Sequence, residues 1–79
     1  MELLFEGGGE YVKLRIDRIE HKFSIGSSKT DYVLTLQPYE KLFDSKEEQA
    51  EMELVDDEEF IKRLAVSFQR VGYKLNRAV

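Results

Sequence analysis

Apolar and polar positions follow two different periods along this chain. Val12, Leu14 and Ile16 share one parity and Lys13, Arg15 and Asp17 the other, the pattern of a half-buried strand. Ahead of them, Leu3-Leu4-Phe5 is separated by Gly7-Gly8-Gly9. Glycine reaches positive φ at little steric cost, so Glu2–Glu6 and Glu10–Ile19 are expected to form an antiparallel hairpin. Past Asp17-Arg18 the apolar residues change parity to Ile19, Phe23 and Ile25. A β-bulge would absorb the extra residue and give one long bent second strand; this is preferred to a turn at Glu20-His21-Lys22.

Gly26–Asp31 is a turn cluster, and Tyr32–Leu36 follows as a strand with Tyr32, Leu34 and Leu36 facing inward. Pro38, which cannot donate a ladder hydrogen bond, ends it. Leu42 and Phe43 anchor the crossing that comes next. Ala50–Leu54 alternates and reads as a fourth strand, although Ser45 with Glu48 offers a helix cap instead.

The period then changes. Phe60, Ile61, Leu64, Ala65, Phe68 and Val71 recur at helical spacing and cover an arc of about 140° on an ideal helix. Asp56 caps this helix with Glu59 three residues on, and Asp57, Glu58 and Glu59 complement the positive end of its dipole. Gly72 is placed to end it in a left-handed conformation, and Tyr73-Lys74-Leu75 can add a short edge strand. The expected fold is α+β: a three- to four-stranded antiparallel sheet with one C-terminal amphipathic helix, Asp57–Val71, across one face. The expected core draws on Leu3, Phe5, Val12, Leu14, Ile16, Phe23, Ile25, Leu34, Leu36, Phe43, Leu54, Phe60, Leu64 and Phe68.

At 79 residues the chain is expected to be a single small domain, and dimerisation is one way for such a domain to bury more surface. No apolar run reaches the ~18 residues of a spanning helix, and the acidic N-terminus does not read as a signal peptide. With no cysteine there is neither a disulfide nor a thiolate metal site, which favours the cytoplasm.

Charge is segregated along the last third. Glu40–Glu59 holds ten acids against Lys41 and Lys46, whereas the residues from Phe60 onward hold five bases and no acid. Capping and the dipole explain much of the acidic edge. The basic set gives a candidate binding surface of Lys62, Arg63, Val66, Arg70, Lys74 and Arg77, and the acids a second one of Glu47, Glu48, Glu51 and Glu53.

No catalytic constellation emerges. His21 is the only histidine and sits between Glu20 and Lys22. No serine lies in a G-x-S-x-G context. Asp56–Glu59 lacks the alternating acids and glycine of a calcium loop, so neither metal nor cofactor is expected. The expected function is a non-enzymatic protein–protein interaction or regulatory role, adaptor- or inhibitor-like, with a homodimer possible. The alternative is accessory nucleic-acid binding by the basic helix face, which a net charge of −4 disfavours.

Overall fold

Gly8 and Gly9, with φ of 58° and 77°, form the two-residue turn of the first hairpin, a conformation whose twist suits its strands. It joins β1 (Glu2–Gly7) to β2 (Glu10–Asp17), with Leu3 opposite Leu14 and Phe5 opposite Val12. At the far end of β2 the Asp17 carboxylate accepts hydrogen bonds from the backbone N–H of Ile19 (3.0 Å) and Glu20 (2.9 Å). These bonds, Glu20's first, hold the Asp17 carboxyl below its ordinary range. His21 follows with φ 55°, completing the reversal.

The second strand therefore ends at Asp17, and the preferred long bent strand is not formed. The extra residue lies in the turn, and β3 (Lys22–Ser27) pairs back antiparallel with Phe23 opposite Ile16 and Ile25 opposite Leu14.

The computed structural model describes all 79 residues. After β3 come β4 (Thr35–Gln37), α1 (Lys46–Met52), α2 (Asp57–Arg70) and β5 (Lys74–Ala78), in an antiparallel sheet ordered β4-β3-β2-β1-β5. The α+β class is as expected, but there are five strands and two helices. The added helix takes in Ala50–Met52 of the segment read as a fourth strand. Ser45 Oγ accepts from Glu48 N–H (3.1 Å), and the helix-favouring Glu, Ala and Met residues prevail over the alternation. Met52 takes the core position, and Leu54, beyond the helix, is 88% exposed.

The parity of β4 is also reversed. Asp31 and Tyr32 both adopt left-handed conformations, and the register sets Thr35 opposite Ile25 and Gln37 opposite Phe23, on the inner face. Leu36 lies opposite Ser24 and points away from the core, 66% exposed. Gly26 permits this route, since a Cβ there would come within 2.6 Å of the Val33 carbonyl oxygen.

Leu3, Phe5, Leu14, Phe60 and Leu64 are wholly buried at the centre, where the α2 stripe meets β1 and β2. Tyr39, Leu42 and Phe43 bury themselves over the Phe23 end of the sheet. Asp56 caps α2 by accepting from Glu59 N–H (2.9 Å). Its other end closes as a Schellman motif: Gly72 (φ 93°) donates to Gln69 and Tyr73 to Phe68. Phe68 and Tyr73 pack edge to face across that turn, turning the chain into β5.

Phe68 is half-buried, stacked 4.3 Å from Phe5, and lies at the margin of the core. Phe60→Ala is expected to cost about 3–5 kcal/mol in urea unfolding, and Phe68→Ala clearly less. Equal costs would contradict this placement.

Candidate functional site

The turn after β2 presents Arg18 to the helices. Its guanidinium donates to the carbonyls of Met52 and Val55 (both 2.8 Å) and to Asp57 Oδ1 (2.7 Å), and lies 4.3 Å from the centre of the Phe60 ring. The carbonyls come from the end of α1 and the linker, the carboxylate from the first turn of α2. One side chain thus fixes both helices to the sheet.

Beside it, His21 stacks on Tyr39 (4.8 Å between centroids, 7° between planes), and its Nε2 is 3.1 Å from Glu53 Oε1. The Tyr39 hydroxyl is buried without a hydrogen-bond partner. Burial pushes that phenol above its ordinary pKa, and the charge of Arg18 opposes the shift.

With the helices so fixed, the sequence-predicted surfaces are rearranged. Arg63, Val66 and Arg70 of α2 line a groove of about 250 Å³ together with Glu48, Glu51 and Met52 of α1. Acids and bases far apart in the sequence face each other here. Lys62 is paired with Glu58 (3.4 Å), and Glu53 is engaged by His21. Glu47 is exposed on α1. Lys74 and Arg77 are not part of this surface. They stand on β5 opposite Glu6 and Leu4, on the face of the sheet turned away from α2.

A larger cavity than this groove lies elsewhere. Neither α2 nor the Tyr39–Phe43 segment fully covers the corner of the inner sheet face formed by Ile25, Thr35 and Gln37, beside the buried Val12. A cleft of about 510 Å³ opens there, walled by Phe68 and Tyr73, with Glu10 and Val33 along its border. Glu10 Oε2 is 3.4 Å from Lys29 Nζ. Its lining comes from three strands, a helix and two connecting segments, so no local sequence pattern announces it. Arg18 was hidden for a similar reason: its four partners lie more than thirty residues downstream. The one local signal was the parity change beside it.

No group of three or more His, Asp or Glu side chains is arranged to hold a metal ion. No helix is long and apolar enough to cross a membrane. Comparisons with family models, with curated proteins and with solved structures find no match to this chain.

Two substitutions test this geometry. Arg18→Ala is expected to cost about 2–3 kcal/mol by freeing two partly buried carbonyls, whereas Asp57→Ala, removing the exposed partner, costs at most about 1 kcal/mol. Tyr39→Phe deletes an unsatisfied hydroxyl and is expected to leave stability unchanged or raised near neutral pH. The folded state holds the phenol neutral beyond its ordinary pKa of about 10, so unfolding favours ionisation and wild-type stability falls as pH rises through 10. Thermal melts between neutral pH and about 11 are expected to show a smaller alkaline loss in Tyr39→Phe.

Proposed function

We propose that this chain is a small non-catalytic interaction protein, regulatory or adaptor-like, that docks on a basic partner protein through an acidic helical layer. The observation that carries this reading is the division of charge between layers. Residues 39–70, which include both helices, hold ten acids and five bases; the remaining residues, which supply all five strands, hold six acids and seven bases. Two acids of the helical layer are engaged in ion pairs, Asp57 with Arg18 and Glu58 with Lys62, and Glu53 is 3.1 Å from His21 Nε2. The other seven, including Glu47, Glu48 and Glu51, have no cation within 4.0 Å. Such a surface steers a basic partner toward encounter and disfavours acidic ones.

The nucleic-acid reading draws less support. A phosphate approaching Arg63 or Arg70 meets Glu48 and Glu51 across the same groove, and Lys74 and Arg77 lie on another face.

Reversing Glu47 and Glu51 to lysine separates these alternatives, because both positions are exposed on α1. Affinity capture from host lysate at ~50 mM salt is expected to retain a basic protein on the wild type and lose it on the double variant and at ~200 mM salt. Retention of nothing, or wild-type binding to labelled oligonucleotides at the lower salt, would contradict the proposal.

A further inference from the structure

We infer that the cleft between β4 and the end of α2 binds an uncharged, ring-bearing small molecule with hydrogen-bonding groups at its edge. The inference goes beyond the acidic docking layer, uses none of its acids, and stands or falls separately from it.

The backbone beside the cleft is strained. Asp31 and Tyr32 lie in succession in the left-handed region, at φ 54° and 60°, and neither is a glycine. Tyr32 N–H donates to the Ser27 carbonyl (2.8 Å) and Val33 N–H to the Thr30 carbonyl (3.1 Å). Lys13 Nζ lies 5.0 Å from the centre of the Tyr32 ring. These contacts hold the strained pair in place, and Thr30 and Val33 thereby line the cleft. Strain of this kind gathers where a ligand is held.

The same segment inverts β4. The packed face of an antiparallel sheet ordinarily carries apolar side chains, but here Thr35 and Gln37 are turned to it and Leu36 is turned out. Both polar side chains line the cleft, and neither makes a hydrogen bond within the protein. Packing alone favours the opposite parity. A local rule broken in this way, with free donors and acceptors at a cavity, is accounted for by a ligand that uses them.

The walls and the charge define its chemistry. At about 510 Å³ the cleft falls within the roughly 300–1,000 Å³ of small-molecule sites. Ile25 and Val12 give it apolar lining, and Phe68 and Tyr73 wall it with ring planes 80° apart and centroids 6.4 Å apart. A flat ring can stack on one of these and meet the edge of the other. Glu10 is the one charged residue of the lining, and its carboxylate is already 3.4 Å from Lys29 Nζ. An ionised ligand would lose water there without gaining a free counter-ion, whereas a neutral one meets a hydroxyl and an amide.

The test titrates the intact ¹⁵N-labelled protein with 2-naphthamide, a neutral bicyclic amide, and with its charged counterparts 2-naphthoate and 2-naphthylmethylammonium. Saturable amide shifts centred on Ile25, Val33, Thr35, Gln37, Phe68 and Tyr73 are expected for 2-naphthamide, with both charged compounds at least about tenfold weaker. The double variant Thr35→Val, Gln37→Leu keeps the shape of the cleft and is expected to be at least as stable as the wild type. It should bind 2-naphthamide at least about fivefold more weakly, as the loss of one or two hydrogen bonds implies. A merely structural role for these two side chains would leave that affinity unchanged. No saturable shift up to about 2 mM 2-naphthamide, or shifts centred outside the cleft, would overturn the inference. So would equal affinity for the charged compounds, or undiminished binding by the double variant. A concentration-dependent dimer of the free protein with these same residues at its interface would assign the cleft to a second copy and overturn it too.

Discussion

The arrangement depends on one charged side chain. A domain of this size has a thin stability margin, so a contact that ties both helices to the sheet adds to what packing supplies. Arg18 leaves the β2–β3 turn and meets carbonyls at the end of α1 and in the linker, a carboxylate at the start of α2, and the ring of Phe60. Each contact uses a different property of guanidinium: its fork of donors, its charge and its flat face. Lysine offers only a point charge at the same place. The carbonyls would otherwise be left at a helix end without a partner, so the cation satisfies them as it locates the helices.

That clamp also determines what stays open. It holds the end of α1 and the first turn of α2 beside the turn that follows β2, where Tyr39 and Phe43 complete the cover. α2 then runs toward β1 and β5, stacks Phe68 on Phe5, and stops at the Schellman turn. The diagonal corner, at Ile25 and Thr35, is left open beyond Phe68. The cleft and the bare β4 edge are thus two consequences of one diagonal placement. The same placement brings α1 against the basic flank of α2, so that Arg63 and Arg70 share a groove with Glu48 and Glu51.

Local rules carried the sequence reading wherever one interaction prevailed. The glycine turn, the alternation of β2, the Asp56 cap and the Gly72 stop each involve neighbours in the chain, and all are found as expected. Reading failed where two local signals competed. At Asp17–His21 a bulge and a turn explain the same parity change, and the Asp17 carboxylate, by holding two backbone N–H groups, selects the turn. At Ala50–Leu54 a single cap bond and helix propensity outweighed alternation. At Leu36 successive left-handed residues reset the parity of β4, which alternation alone does not encode. The candidate surfaces fared as their geometry dictated. Arg63, Val66 and Arg70 share one helix and come together, whereas Lys74 and Arg77 follow a chain reversal and point elsewhere.

Native-state amide hydrogen exchange tests the central claim, that the helices cover one diagonal of the sheet and leave the opposite corner bare. The account predicts slowest exchange in β1, β2 and the Phe60–Leu64 turns of α2, with β4 amides opening at far lower free energy. Protection in β4 equal to that in β2, measured in the monomer, would mean that this corner is covered, and would contradict the account.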